Sequence, residues 1–195
     1  MDAVEVALGE AEGADAPRAL VTVASGKFWS NGLDLDWLGA NPDELEGFVD
    51  RLHKLYARFL GSSVPTVAAI QGHAFAAGAM FALVHDQIVM REDRGYFCVP
   101  EVDIPLPFTA GMMALLRARL APRVAHEAAT TGRRYGGKEA LDEGIVDEAV
   151  AEDQVRAAAF DRARARTHSD PRTLGLIKQR LYAGVLGAIR APQKL

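Results

Sequence analysis

Short apolar runs rich in β-branched residues alternate with helix-like stretches in the first half of the chain, and this alternation constrains the fold most. The runs are Ala19–Ala24 (ALVTVA), Pro65–Gln71 (PTVAAIQ) and Asp86–Arg91 (DQIVMR). Runs of this length and composition predict buried strands. Between the first two, Asn41 and Pro42 predict a helix start, and apolar residues then follow helical spacing from Leu45 to Gly61. Alternating buried strands and helices predict an α/β fold.

The rest of the chain is predicted to be mainly helical. Further strands are predicted at Tyr96–Val99 and Ile145–Ala149. Helices are predicted at Thr109–Leu120, Pro122–Thr131, Lys138–Glu143, Glu152–Thr167 and Pro171–Ile189. Residues 1–18 are acidic, rich in Ala and Gly and almost aperiodic, so we expect them to be loose. The absence of repeats and linkers predicts a single domain over residues 1–195, with 19–150 as its core and 151–195 as C-terminal helices.

Composition excludes several classes of protein. The net charge is −4 and the sequence has no basic stripe, so we do not expect nucleic acid as a partner. No apolar run reaches the length of about 18 residues that a membrane span requires. Cys98 is the single cysteine, which rules out an intrachain disulfide and fits a small buried hydrophobe in a reducing compartment.

The histidines and the C-terminus carry weaker information. His73 and His85 lack a metal-ligand spacing, so we interpret them as packed or hydrogen-bonded and expect no metal. The chain ends in Gln193-Lys194-Leu195, which shares Lys-Leu with the peroxisomal Ser-Lys-Leu signal. The expected compartment is therefore the peroxisome, with the cytoplasm as the alternative.

The stretch VPEVDIPLPF, Val99 to Phe108, places two carboxylates in apolar surroundings. An extended backbone would put Glu101 and Asp103 on the same side of the chain. By residue type alone Glu101 is interpreted as a solvated acid of a loop, and Asp103 as structural or exposed at a rim.

Two glycine turns connect predicted strands to helices. One is SGKFWSNGLDLDWL, Ser25–Leu38, in which Ser25–Gly32 is predicted to be a loop. The other is GHAFAAGAMFAL, Gly72–Leu83, in which a loop of small residues, Gly72–Ala79, is predicted to run into a helix. Small residues let a ligand approach the backbone, and the first N–H groups of a helix have no internal acceptor. Each turn alone also fits ordinary strand–helix packing.

Together and in this order, four segments resemble the crotonase (enoyl-CoA hydratase/isomerase) superfamily, and within it the plant-type Δ3,Δ2-enoyl-CoA isomerases. They are Gly26–Leu38, Pro65–Phe97, Pro100–Pro107 and Gly144–Val150. The resemblance extends from about Ala19 to the C-terminus. It implies a crotonase (ClpP-like) ββα superhelix with a helical C-terminal portion. Family members normally begin with a β-hairpin and a helix, which the first 18 residues do not resemble, so the chain is expected to be a shortened variant or an incomplete gene model.

The resemblance also implies a site for an acyl-CoA thioester. The backbone N–H groups of Leu33 and Ala77 would form its oxyanion hole, and Glu101 would be catalytic. Family hydratases carry a second glutamate three residues after the second donor, where this sequence has Met80. The predicted substrate-binding residues, from the motifs around these positions, are Lys27, Ser30, Asn31, Gly32, Gly78 and Met80.

A single carboxylate favours double-bond migration over hydration, because hydration uses two acid–base groups whereas migration can use one proton shuttle. The resemblance therefore implies conversion of 3-enoyl-CoA to 2-trans-enoyl-CoA, with no cofactor beyond the CoA of the substrate and with a homotrimer or higher homo-oligomer as the assembly. Two alternatives remain open. One is another crotonase activity, hydratase or thioester hydrolase, and the other is a truncated, non-catalytic paralogue that binds acyl-CoA or a partner subunit.

Overall fold

The structure is a computed structural model that describes residues 1–104 and 106–192. Its helices are α1 (Asp2–Gly13), α2 (Leu35–Ala40), α3 (Leu45–Gly61), α4 (Ala77–Leu83), α5 (Ala110–Arg119), α6 (Pro122–Thr131), α7 (Gly137–Asp142), α8 (Val155–Arg164), α9 (Pro171–Leu181) and α10 (Ala183–Arg190). Its strands are β1 (Leu20–Val23), β2 (Phe28–Ser30), β3 (Thr66–Ile70), β4 (His73–Phe75), β5 (Gln87–Arg91), β6 (Phe97–Cys98) and β7 (Glu148–Val150).

The strands form two parallel sheets that are filled alternately along the chain. One sheet has the order β1-β3-β5-β7 and the other has the order β2-β4-β6. Each repeat of the chain therefore adds one strand to each sheet, and a helical segment then leads back to the first sheet. This arrangement is the predicted ββα superhelix. The register Val67↔Gln87 to Ile70↔Met90 aligns β3 with β5. All five residues of β3 are buried, as expected for an inner parallel strand.

Two strands of three residues each were missed by the sequence prediction. Residues Ser25–Gly32 and Gly72–Ala79 were predicted to be loops, but they contain β2 and β4. Each of these strands has only three residues, and pairing rather than local propensity defines them. β4 lies between β2 and β6, so both of its edges are hydrogen-bonded.

Residues 1–18 also differ from the prediction, because most of them form α1. The helix buries only Leu8 completely, which explains its weak hydrophobic periodicity. Its acidic residues are held by the basic residues of α3: Arg51 binds Asp2 and Glu5, and Arg58 binds Glu12. These tertiary ion pairs are not visible in the local sequence.

The helix predicted over Pro171–Ile189 is divided into α9 and α10 at Tyr182. Tyr182 has φ −102° and ψ 19°, outside helical geometry. The hydroxyl of Tyr182 accepts a hydrogen bond of 2.8 Å from Arg119 of α5. This tertiary contact holds Tyr182 where the chain changes direction, and it brings α10 against α3 and α5.

A buried lysine joins the C-terminal helices to α3, which forms one wall of the site described below. Lys178 of α9 is only 4% exposed. Its Nζ lies 2.8 Å from Asp86 Oδ1 and donates to the carbonyl oxygen of Phe59 at 3.1 Å. An ammonium group at this depth needs both partners, because burial opposes its charge.

Replacing Lys178 with Ala is expected to lower the free energy of unfolding by about 3 kcal/mol, because it removes one partner of a buried pair. The matched control is Arg164→Ala, which breaks an exposed ion pair with Asp161 and is expected to lose less than about 1 kcal/mol. Urea unfolding measures both values. Equal losses would contradict the structural role of Lys178.

Candidate active site

The first glycine turn follows β2 and leads into α2. Gly32 has φ +83°, a conformation that favours glycine. Asp34 then caps α2, since its Oδ1 accepts a hydrogen bond from Trp37 N at 3.0 Å. The cap fixes where the helix begins. The N–H of Leu33, between Gly32 and Asp34, donates to no acceptor among the described residues.

The second turn joins β4 to α4 through a strained residue. Ala76 has φ +51° and ψ −126°, and it is the only non-glycine residue with positive φ in the described chain. A conformation of this kind costs about 1–3 kcal/mol and persists only when its surroundings enforce it. Ala77 follows as the first residue of α4, so its N–H has no acceptor within the helix.

The two turns touch each other at Gly32. A Cβ atom added to Gly32 would lie 3.1 Å from Ala76 Cβ and 3.2 Å from Ala77 N. Only a residue without a side chain permits this approach. The close contact brings Leu33 and Ala77 to the lining of the same cavity.

Both turns line a cavity of about 540 Å³. Its polar rim contains Asn31, Asp34 and Asp36. The remaining lining is mainly apolar and includes Val49, Phe75, Met80, Ile104, Leu106 and Met112. A mostly apolar cavity with a few convergent polar groups is typical of a site for a small molecule.

Glu101 is the acidic side chain of the cavity interior. It is 5% exposed, and its Oε2 is buried with no hydrogen-bond partner in the described chain. Burial raises the pKa of Glu101 from 4.5 to about 7. A hydrogen bond from the backbone N–H of Glu101 to its own carboxyl group lowers the pKa, but by less than burial raises it. The burial of Glu101 contradicts the solvated loop position that its residue type alone favours.

The backbone at Glu101 differs from the extended conformation that was considered for this stretch in the sequence analysis. Residues 101–104 form a turn rather than an extended segment, and Asp103 N donates to Pro100 O at 2.8 Å. As a result Glu101 is buried while Asp103 is exposed. The two carboxylates do not share a side, and Asp103 does not line the cavity.

Met80 occupies the wall where a second carboxylate could have stood. It is 1% exposed and lines the same cavity as Glu101. A thioether neither donates nor accepts protons at neutral pH, and it keeps the wall dry. Among the residues that line this cavity, Glu101 is therefore the single carboxylate of the interior. Asp34 and Asp36 lie at the rim.

The other predicted binding residues are distributed around the main cavity. Asn31 and Gly32 line it. Ser30 and Gly78 instead pack against each other, since a Cβ on Gly78 would lie 2.5 Å from Ser30 Oγ, and they face an adjoining cavity of about 370 Å³. Lys27 lines neither cavity, and its Nζ lies 5.3 Å from the centre of the Phe28 ring.

The histidines are packed, as predicted. The His73 ring packs in tilted contacts against the rings of Phe28, Phe75 and Tyr96. His85 donates from Nδ1 to the carbonyl oxygen of Phe81 at 2.8 Å, so its Nε2 accepts from Thr22 Oγ1 at 3.0 Å. Burial lowers the pKa of His85 to about 4. Across residues 1–104 and 106–192, no group of three or more His, Cys, Asp or Glu could hold a metal ion.

Cys98 is buried, as the sequence indicated. Its thiol donates to the carbonyl oxygen of Gly132 at 3.2 Å. Burial raises the pKa of the Cys98 thiol to about 11. A thiol in this state is a poor nucleophile. Cys98 therefore has a structural role rather than a chemical one.

Several lining residues were not found by the sequence analysis. Val49 and Met112 sit on apolar helix faces, where a cavity wall and a core position carry the same pattern. Phe75 lies in β4, a strand that the prediction had missed. No local signal separates these residues from core, since only the tertiary fold decides which apolar side chains border empty space.

Comparisons with known proteins establish the family. The sequence profile of the enoyl-CoA hydratase/isomerase family matches residues 1–190. Two solved structures of one Mycobacterium tuberculosis protein are similar to this chain. One is described as a probable enoyl-CoA hydratase (26% identity, TM-score 0.90, 98% of this chain and 80% of that one). The other is described as an enoyl-CoA isomerase (28% identity, TM-score 0.87, 98% and 83%). The chain belongs to the enoyl-CoA hydratase/isomerase family, the crotonase fold.

Curated relatives narrow the resemblance. The peroxisomal enoyl-CoA delta isomerase 2 of Arabidopsis thaliana is 41% identical over 139 residues, which are 67% of this chain and 58% of the relative. Carnitinyl-CoA dehydratase of Escherichia coli K12 is 30% identical over 161 residues, 83% of this chain and 61% of the relative. The chain thus spans less than two thirds of the length of these relatives. The resemblance to the crotonase superfamily, and to its plant isomerases, is confirmed.

The buried carboxyl group predicts a specific pH dependence of stability. Because the pKa of Glu101 rises from 4.5 to about 7 on folding, the folded state binds the extra proton between these values and stability falls as pH rises through them. Glu101→Gln removes this loss. The quantity of interest is the unfolding free energy of the variant minus that of the wild type. We expect this difference to be more positive at pH 8 than at pH 4, by roughly 3 kcal/mol.

Urea unfolding at pH 4 and pH 8 measures this difference. Asp103→Asn is the control, because Asp103 is exposed and only two residues away. A difference between Glu101→Gln and wild type that does not change with pH would show that Glu101 is solvated.

Proposed function

We propose that this chain is a Δ3,Δ2-enoyl-CoA isomerase that converts 3-enoyl-CoA to 2-trans-enoyl-CoA. The observation that carries the proposal is that Glu101, a single buried carboxyl group, lines one mainly apolar cavity together with Leu33 and Ala77. The similarity to the Arabidopsis enoyl-CoA delta isomerase supports the same reaction.

In the proposed reaction, Glu101 removes a proton from C2 of the bound thioester. The electron pair shifts toward the carbonyl, which gives a dienolate with its charge on the thioester oxygen. The N–H groups of Leu33 and Ala77 stabilise this oxygen, and a donor of this kind contributes about 3 kcal/mol in a dry site. Glu101 then returns the proton to C4, so the double bond moves from C3 to C2 and nothing is gained or lost.

The pKa of Glu101 suits this task. A general base is most effective when its pKa lies near the working pH, and the pKa of Glu101 is raised to about 7 by burial. The wall at Met80, Ile104 and Met112 keeps water from the dienolate. The proposed chemistry uses only the groups of this chain, so CoA enters as part of the substrate and no further cofactor is proposed.

The proposed setting follows from the same relatives. We propose a part in the β-oxidation of unsaturated fatty acids, and the peroxisome as compartment, supported by the peroxisomal Arabidopsis relative. The predicted C-terminal signal Gln193-Lys194-Leu195 lies outside the described residues. In the described chain no helix is both long and apolar enough to cross a membrane. A homotrimer or higher homo-oligomer is proposed, supported by α9, where Leu181 is 69% exposed and Ile177 55% exposed.

Hydration or dehydration is the second candidate activity, favoured by the similarity to carnitinyl-CoA dehydratase. Met80 argues against it, because water addition uses a second acid–base group that this wall lacks. Turnover of 3-hexenoyl-CoA compared with water addition to 2-hexenoyl-CoA separates the two activities. A protein that binds CoA esters and turns over neither would be the non-catalytic paralogue.

Glu101→Gln tests the assignment directly. We expect isomerisation of 3-hexenoyl-CoA to fall by about 10³-fold or more, because the variant keeps the shape of Glu101 and loses its base. Binding of the saturated hexanoyl-CoA should be retained. In the wild type, kcat/KM should rise with pH and level off above about 7, where Glu101 is ionised.

Asp103→Asn again serves as the matched control and should keep wild-type turnover, because its side chain does not line the cavity. Unchanged turnover in Glu101→Gln would end the assignment of Glu101 as the base.

A further inference from the structure

Tyr56 of α3 contacts the strained turn directly, although no sequence motif marks it. Its side chain is fully buried. Its hydroxyl donates a hydrogen bond of 2.5 Å to the carbonyl oxygen of Ala77. Ala77 lines the cavity, and its N–H has no acceptor within α4 because it is the first residue of that helix.

The turn needs anchors on both sides of that amide. The donor N–H belongs to the peptide unit between Ala76 and Ala77, which the unusual dihedral angles of Ala76 orient. The preceding peptide unit is fixed by the hydrogen bond from Ala76 N to Cys98 O at 2.9 Å. The following unit is fixed by Tyr56 at Ala77 O. The unit itself is held at its carbonyl, where Ala76 O accepts from Met80 N at 3.1 Å. Loss of the Tyr56 anchor leaves that bond in place but lets the strained unit tilt about it, which changes the direction of the Ala77 N–H.

The surroundings of Tyr56 keep its hydroxyl protonated, so that it remains a hydrogen-bond donor. Its ring stacks on Phe81 at an interplanar angle of 15°, with the ring centres 6.5 Å apart. Burial, and then the nearby charge of Glu101, raises the pKa of the Tyr56 hydroxyl well above its ordinary value. The phenol therefore keeps its proton throughout the range in which Glu101 titrates. Since Tyr56 is absent from the cavity lining, it acts through Ala77 and not on the substrate.

We propose that Tyr56 is a positioning residue, whose hydrogen bond to Ala77 O holds the Ala76–Ala77 turn so that the Ala77 N–H points at the thioester oxygen. The inference rests on the proposed function, because it assumes that an acyl thioester binds with its carbonyl at this turn. The two proposed donors, Leu33 and Ala77, lie on the two glycine turns. Under this proposal a residue of α3 also determines how one of them is oriented.

The test compares Tyr56→Phe with a matched control, Tyr135→Phe. Tyr135 is also fully buried, and its hydroxyl donates to Glu127 at 3.2 Å, away from the cavity. Each variant loses one buried hydroxyl. The readout is the carbonyl stretching frequency of bound hexanoyl-CoA labelled with ¹³C at the thioester carbon, measured by infrared difference spectroscopy. Hexanoyl-CoA has no double bond to move, so the readout does not depend on turnover.

We expect the wild type and Tyr135→Phe to lower this frequency relative to free hexanoyl-CoA, and Tyr56→Phe to lose most of the lowering. With 3-hexenoyl-CoA, kcat of Tyr56→Phe should fall about 10-fold or more, while KM changes by less than about 3-fold. The pH midpoint of kcat/KM should stay at that of the wild type, because Glu101 is untouched. This combination distinguishes misalignment of a donor from loss of the base.

A Tyr56→Phe variant with wild-type carbonyl frequency and kcat would overturn the proposal. A second variant, 3-fluorotyrosine at position 56, keeps the hydroxyl and should behave as wild type. If it loses the frequency shift as fully as Tyr56→Phe does, the effect belongs to ring packing, and the proposal is also wrong. If the wild type shifts the carbonyl but does not isomerise 3-hexenoyl-CoA, the proposed function fails while the role of Tyr56 stands.

Discussion

The contact between Gly32 and the Ala76–Ala77 turn is the constraint on which the site depends. Two separate turns of the superhelix meet there, with 3.2 Å between Ala77 N and the position that a Cβ on Gly32 would occupy. A Cβ at Gly32 would be crowded against the Ala76–Ala77 turn, and Gly32 has a positive φ that residues with a side chain rarely adopt. The contact therefore sets the spacing of the two amides, and the parallel pairing of β2 with β4 holds the turns in register behind it.

Around this contact the fold maintains two unfavourable local features. Ala76 is held in a strained conformation, and Glu101 is held in a cavity without a partner for one of its oxygens. Each feature lowers stability by itself, and each prepares the site for charge that develops only during reaction. The surrounding core, from the buried strand β3 to the Lys178–Asp86 pair, supplies the stability that permits both.

The sequence predicted those parts of the molecule that local patterns encode. The apolar strands β1, β3 and β5 and the amphipathic helix α3 were predicted within a few residues. The three positions that the family resemblance implied, Leu33, Ala77 and Glu101, line one cavity. What the sequence could not predict depends on tertiary contacts. α1 is fixed by ion pairs with Arg51 and Arg58, β2 and β4 are defined by strand pairing, and Lys178 is buried because α9 packs on α3. Tyr56 was missed for the same reason, since a tyrosine on a helix face shows nothing of the carbonyl that it will meet.

The central claim is that two backbone amides and one buried carboxyl group converge on one thioester. The most direct test is a crystal structure of the protein with hexanoyl-CoA bound. Our account predicts that the thioester oxygen lies about 2.7–3.1 Å from both Leu33 N and Ala77 N, with C2 beside the Glu101 carboxyl group. A carbonyl bound away from these amides, or a Glu101 side chain that points into solvent in the complex, would contradict it.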